Sequence, residues 1–309
     1  MTPGLPFGDT LAARVEERQS QVVLGLDPDP SALWPAASEP ALDISAGGSP
    51  AERAATAVAG HCRALIDATA QACVAAKLQL ACFERLGAPG RSALQTVAAR
   101  AREQGLLVIA DGKRGDIDVT ARAYAQSLFG GVQTPFGEVA GLGADMVTVN
   151  PLMGRDALEP FVRQARAAGA GVLVLVRTSN PGAADVEDLE LTIGGSVWER
   201  LAGIAGELGE PGVGESGFSD VGAVLGATVP GHLTRARELM GQATFLLPGV
   251  GAQGGRVEDL APAFAPGRAG GLVTASRSIA NAHHGTGEDP AKAARAEAER
   301  MRAATWALG

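Results

Sequence analysis

The stretch Asp111-Gly112-Lys113-Arg114-Gly115-Asp116-Ile117 puts two carboxylates and two cations into seven residues, directly behind the apolar run Leu106-Leu107-Val108-Ile109-Ala110. Such a run reads as a buried strand, so the charges arrive at its end. In an extended chain alternate side chains share a face. Asp111 and Lys113 are therefore expected on one side, with Gly112 leaving the opposite side open. A lysine held beside a carboxylate stays protonated, which suits it to give up a proton, and the carboxylate stays ionised. The same pattern also fits a surface salt bridge worth about 0–1 kcal/mol, with the glycines only shaping a turn. The rest of the chain decides between these.

Eight short apolar runs read as strands: Gln21–Asp27, Val74–Cys82, Leu106–Asp111, Met146–Asn150, Gly171–Thr178, Val221–Ala227, Phe245–Gly249 and Gly271–Ala275. Several are continuously apolar, as expected when both faces of a parallel strand are covered. Helix signals fall between them. Ser49-Pro50-Ala51-Glu52 combines a capping box with proline at the first helical position, ahead of an alanine-rich run to Gln71. Asp289-Pro290 opens the last helix in the same way, and Gly105 stops one before the third strand. Pro160 predicts that the helix after Arg155 begins late. Strands alternating with helices predict an α/β fold in which residues 1–309 make a single (β/α)8 TIM barrel, with a doubly wound sheet as the alternative. The longest excursions, Asp29–Ser49 after the first strand and Asn180–Val213 after the fifth, are read as insertions able to form lids.

In such a barrel function belongs to the loops at the carboxyl ends of the strands. Asp27, Lys77, Asp111 with Lys113, Asn150, Thr178-Ser179-Asn180 and Ser276-Arg277-Ser278 all fall at or near such ends. Pro248-Gly249-Val250-Gly251-Ala252-Gln253-Gly254-Gly255 is a glycine-rich loop after the seventh strand, and Arg277 ends the eighth. Backbone N–H groups cradle oxyanions and an arginine fork binds two phosphate oxygens, so a phosphate site is expected there.

Composition narrows the classes. A 46% hydrophobic and 19% charged chain is a soluble globular protein, and with aromatics at 4% its core must be mostly Ala, Val and Leu. A net charge of −8 without a concentrated basic block argues against a nucleic-acid surface. Cys62, Cys73 and Cys82 lack paired spacing and are read as reduced, mostly buried thiols. His283-His284 is read as a solvated loop instead of a metal site, because adjacent side chains diverge and no carboxylate sits at ligand spacing. Pro3, Pro6 and Asp9 stand where a secretory leader would be basic and then apolar, and the aliphatic strings are far below bilayer length. A cytoplasmic protein with no membrane partner is expected.

Taken in order, Lys77-Leu78-Gln79-Leu80-Ala81-Cys82-Phe83-Glu84-Arg85-Leu86-Gly87, the Asp111–Ile117 motif with Thr120, Thr178-Ser179-Asn180-Pro181, Leu247–Gly255 and Ser276-Arg277-Ser278-Ile279 resemble the signature of the orotidine 5′-phosphate decarboxylase family, in its longer bacterial branch. The likeness runs from Asp27 to Ile279, and Asp-x-Lys-Arg-x-Asp-Ile is its most specific element. Leu78 and Cys82 depart from the residues more usual in that family, proline and phenylalanine, without removing a charge.

The resemblance implies decarboxylation of orotidine 5′-monophosphate to uridine 5′-monophosphate with no metal or cofactor. Lys113 would stabilise the developing C6 carbanion and protonate it, within an alternating array of Lys77, Asp111, Lys113 and Asp116. It also implies a homodimer in which Asp116 reaches the neighbouring subunit's site. Asp27 and Lys77 would hold ribose hydroxyls, with Thr120 and Asp116 contributing across the interface. Ser179 would meet the pyrimidine; Gln253, the backbone of Gly254 and Gly255, and Arg277 would grip the phosphate. Plainer roles compete: a helix-face hydroxyl for Thr120, a turn residue for Ser179, a cap beside Pro28 for Asp27. A related sugar-phosphate decarboxylase using Mg2+ is the nearest alternative. It wants extra carboxylates, and Glu84, expected in a salt bridge with Arg85, is the only nearby candidate. A catalytically silent phosphate-binding barrel is the alternative of a different class.

Overall fold

A computed structural model of the chain describes residues 5–37, 48–227, 230–250 and 254–309. All eight apolar runs form strands: β1 (Val22–Leu26), β2 (Ala75–Gln79), β3 (Leu107–Arg114), β4 (Met146–Val149), β5 (Gly171–Arg177), β6 (Val221–Leu225), β7 (Phe245–Leu247) and β8 (Gly271–Ala275). They pair in parallel in the closed order β1-β8-β7-β6-β5-β4-β3-β2. Closure is made by β1, which pairs with β2 (Gly25 opposite Lys77) and with β8 (Val22 opposite Val273). That double pairing makes a (β/α)8 barrel and removes the doubly wound alternative.

Both strand faces are buried, which is why the runs read as continuously apolar. Inward-facing Val23, Ala75, Ile109, Met146, Leu173 and Leu272 belong to one cluster. Their neighbours Val22, Ala76, Val108, Val147, Val172 and Val273 belong to a second cluster that packs with the helices. Two residues beyond the first set, the inward positions become Gly25, Lys77, Asp111, Thr148, Leu175 and Thr274. Apolar filling gives way there to polar groups, and a cavity opens.

The helix over Pro50–Thr69 starts as its sequence dictates: Ser49 accepts from the Glu52 N–H while the Glu52 carboxylate accepts from the Ser49 N–H. Asp289 caps Pro290–Trp306 through the Lys292 N–H. Gly105 follows Gly87–Glu103 with φ +71°, a conformation that favours glycine. Three expectations about boundaries need correction. The helix with Pro160 begins at once, at Arg155, so the proline lies inside it and removes one internal hydrogen bond. The second strand stops at Gln79, where Leu80–Glu84 turns into a short helix. Much of the excursion after β5 is the barrel helix Val197–Gly209, leaving a loop of residues 178–196.

Two elements went unread in the sequence. Phe7–Arg18 is a helix whose Phe7, Leu11 and Val15 join the inward-facing cluster, with Phe7 against Gly171 at the start of β5. A hairpin of Gly131–Thr134 and Gly137–Ala140 projects from the barrel with Phe136 exposed at its tip. The three cysteines are free; burial pushes the Cys62 thiol up and the Cys73 thiol up to about 12. His284 is exposed as expected, but His283 is partly buried, its ring edge-on to Trp34 at 6.3 Å between centroids. Within the described residues no three His, Cys, Asp or Glu side chains converge as a metal site, and no helix is long and apolar enough to cross a membrane.

Candidate active site

A cavity of about 420 Å³ opens at the carboxyl-terminal rim of the barrel and is lined by Asp27, Lys77, Asp111, Lys113, Ser179 and Arg277 among others. These six residues, singled out by type and spacing and drawn from five strand ends, therefore share one space.

Asp111 is its electrostatic hub. Lys113 Nζ donates to Oδ1 at 2.6 Å and Lys77 Nζ to Oδ2 at 2.7 Å. Thr148 Oγ1 donates to Oδ1 at 2.9 Å. With its nitrogen turned toward the carboxylate, the Gln79 amide donates to Oδ2 at 2.9 Å and to the Asp111 carbonyl at 2.8 Å. Lys77 also reaches Asp27 Oδ1 at 3.4 Å. The Asp111–Lys113 pair is half-buried, with Lys113 41% exposed and Asp111 only 7%, and the same carboxylate is tied to the buried Lys77, which a surface salt bridge between two solvated side chains would not be.

Burial by itself would push the Asp111 carboxyl up, but the Lys77 and Lys113 ammonium groups outweigh it and hold the carboxyl at about 2. Burial likewise opposes charge on Lys77, and the carboxylates of Asp111 and Asp27 override it, leaving that ammonium above its ordinary range. Asp111 and Lys77 are thus both ionised at neutral pH.

Asp111 and Lys113 do act on the same space, but not through simple alternation. Pairing of β3 with β4 slips between Ala110 and Arg114, and Lys113 takes φ +48°, a left-handed conformation costly for a residue with a side chain. Thr148 supports that turn: its Oγ1 accepts the Lys113 N–H at 3.0 Å while donating to Asp111. Nor is the far side of Gly112 open. A Cβ there would lie 2.6 Å from Leu80 Cδ1, so a larger residue would press on the helix after β2.

The other expected residues divide. Arg277 lines the cavity with an exposed side chain and makes no ion pair among the described residues. Ser179 lines it beside Thr178, whose hydroxyl donates to Asn180 Oδ1 at 2.7 Å and whose N–H donates to Glu187 at 2.8 Å. Arg177 holds Asp188 through two contacts of 2.8 and 2.9 Å, anchoring the loop after β5 to the barrel. Asp116 and Thr120 are not brought to this cavity: Asp116 Oδ1 accepts from the Ile117 N–H, and Thr120 is exposed on the helix Asp118–Phe129. Gln253 lies outside the described residues. Gly254 has φ +89°, while the Gly255 N–H is used within the loop, donating to the Gly249 carbonyl at 3.1 Å. Glu84 pairs with Arg114, not with Arg85, whose guanidinium turns to the Pro28 carbonyl.

Gln79, Thr148 and Thr274 are site residues that motif reading passes over. Their signal is present in spacing alone, since each stands two or four residues beyond an inward apolar side chain of its strand.

Residues 20–296 match the model of the orotidine 5′-phosphate decarboxylase / HUMPS family. Over 282 residues the chain is 40% identical to the orotidine 5′-phosphate decarboxylase of Deinococcus radiodurans, covering 90% of each protein. It is 40% identical over 290 residues to that of Haloarcula marismortui, covering 92% of this chain and 89% of the relative. The structure of Leishmania donovani OMP decarboxylase superposes with a TM-score of 0.71 at 30% identity, covering 97% of this chain and 99% of that one. By fold, by the charged cluster on β2 and β3, and by this extent of similarity, the chain belongs to the orotidine 5′-phosphate decarboxylase / HUMPS family.

Proposed function

We propose that the protein decarboxylates orotidine 5′-monophosphate to uridine 5′-monophosphate and CO2, the activity for which its relatives are named. The observation that carries this reading is the buried Asp111 carboxylate bridging the Lys77 and Lys113 ammonium groups inside the cavity. When the bond from C6 to the carboxylate breaks, the electron pair stays on C6 in an orbital in the ring plane, out of reach of the ring's π system. Nothing in the pyrimidine can absorb it. A fixed ammonium is the remaining source of stabilisation, and one that needs no reorientation as charge develops is worth most. Lys113 supplies that charge and then a proton to C6, and is reprotonated from solvent.

Arg277 and the glycine-rich loop after β7 take the phosphate in this reading, with Asp27 and Lys77 on the ribose and Ser179 on the pyrimidine. Remote phosphate binding contributes to the barrier at C6 by holding the nucleotide in place and closing loops. Asp116 and Thr120 act in the cavity of a second copy, forming a homodimer. In support, both lie outside the lining of their own cavity, and Ile117 and Val119 between them in the chain are exposed apolar side chains, as is Met153, whose Cε lies against Gly115.

The Mg2+-dependent alternative draws on Glu84, a carboxylate held by Arg114. Loss of orotate ultraviolet absorbance, followed with chelator-treated protein, tests the proposal. Turnover at the untreated rate supports it. Turnover that disappears with EDTA and returns with Mg2+ would overturn the metal-free reading, and no turnover in either condition would overturn the activity itself.

A further inference from the structure

Thr274 is 6% exposed, lines the cavity, and its Oγ1 has no hydrogen-bond partner among the described residues. Among the described residues every other buried hydroxyl is satisfied. Ser20 donates to the Ala72 carbonyl, Thr69 to Leu65, Ser219 to Gly209, Thr244 to Ala269 and Thr305 to Arg302, while Thr148 donates to Asp111. A buried hydroxyl left unpaired is destabilising, and valine, with the same shape and a stronger preference for strands, would avoid the cost. A strand interior that keeps threonine under those conditions points to a partner that arrives with the ligand.

Position narrows what that partner is. Thr274 faces inward on β8, where its Cα pairs with Val23 of β1, the strand that ends at Leu26, one residue before Asp27. Its own strand ends at Ala275, and Arg277, three residues beyond Thr274, opens the short helix Arg277–Ala280. The hydroxyl therefore lies deeper than the guanidinium, on the wall between the proposed phosphate end and the charged cluster. We infer that Thr274 Oγ1 is a further hydrogen-bonding group for the bound nucleotide, directed at an oxygen between its phosphate and C6. The inference rests on the nucleotide reading given above and adds a contact to it.

The test compares Thr274→Val and Thr274→Ser with the unchanged protein in three readouts: thermal midpoint without ligand, the upward shift of that midpoint by uridine 5′-monophosphate, and KM for orotidine 5′-monophosphate. The valine protein is expected to be as stable as the parent or more so when free. Its nucleotide-induced shift is expected to shrink and its KM to rise about three- to tenfold, the range for one hydrogen bond. The serine protein keeps both near the parent. A valine protein with unaltered KM and unaltered nucleotide shift would overturn the inference. A parent protein that neither shifts with the nucleotide nor turns over its precursor would instead overturn the underlying reading, and this contact with it.

Discussion

The two ends of the cavity are built on opposite principles. At the β2–β3 end every charge is already paired: Lys77 and Lys113 converge on Asp111, and Thr148 and Gln79 fill the remaining acceptor positions of its carboxylate. At the β7–β8 end Arg277 stands exposed with no ion pair among the described residues, beside a loop rich in glycine. A group that must stabilise charge during a reaction gains by being fixed before substrate arrives, because no reorientation is then needed at the barrier. A group that captures an anion from water gains by being unpaired, because it gives up no partner on binding. On the function proposed above, the contrast separates a reacting end from a gripping end within one space.

The largest expected effect comes from removing the hub. Asp111→Ala strands the buried Lys77 ammonium without its main partner, so stability should fall by about 3–5 kcal/mol, as for other broken buried pairs. Turnover should fall by at least about 10²–10³-fold, the usual result of losing one preorganised electrostatic group. Chemical denaturation and the absorbance assay read the two. If both stayed near the parent, the reacting end would not depend on its charges.

Sharing of the site between copies comes next. Mixing Lys113→Ala with Asp116→Ala protein should regenerate one intact site per hybrid dimer and restore turnover to two preparations that each lack it. No recovery despite demonstrated subunit exchange would place Asp116 within its own chain's chemistry.

Arg277→Ala sharpens the contrast from the other end. With no ion pair to lose, the free protein should keep its thermal midpoint while KM rises about 10–100-fold, in line with a charged hydrogen bond to phosphate. A loss of stability comparable to that of Asp111→Ala would erase the distinction between the ends.

Acid sharpens the comparison further. The Asp111 carboxyl is held at about 2, below the ordinary value of about 3.9. Its contribution to stability is therefore present above the unfolded value and lost as pH falls from about 4 toward 2. Lys77 is shifted upward, so its contribution is present below its ordinary value and lost only in strong alkali. An acid-unfolding curve should steepen below pH of about 4, and Asp111→Asn should flatten that limb; an identical limb in both proteins would contradict the assignment.

The smallest effect is assigned to Thr148→Val, which removes a hydrogen bond to the Asp111 carboxylate and the acceptor of the Lys113 N–H. About five- to thirtyfold should be lost from kcat with KM little changed, and Thr148→Ser should recover most of it. A change confined to KM would mean that Thr148 touches the substrate instead of positioning Lys113.

Much of this architecture is legible in the amino-acid sequence. Strands buried on both faces leave continuous apolar runs, so all eight are readable, and charges at their carboxyl ends can be assigned to one rim. The N-terminal helix is less visible because its signal is three apolar residues, Phe7, Leu11 and Val15, spaced on one face. The hairpin is hidden for the opposite reason: its strands are exposed, and their alternation faces no core. Alternation places Asp111 and Lys113 together, yet what brings them there is a register slip and a left-handed Lys113 held by Thr148 on the next strand. Contacts between elements depend on how they are placed against each other, which no single segment's sequence carries: those of Thr148 follow from strand register, and the pairing of Glu84 with Arg114 from the short helix that follows β2.

The central claim is that the β2–β3 cluster performs the chemistry while the β7–β8 end performs the binding, and Lys113→Ala tests it most directly. Turnover of orotidine 5′-monophosphate and affinity for uridine 5′-monophosphate are measured on the same preparation. The account predicts that turnover disappears while the nucleotide still binds; a variant that turns over at the parent rate, or one that loses both together while remaining folded, would contradict it.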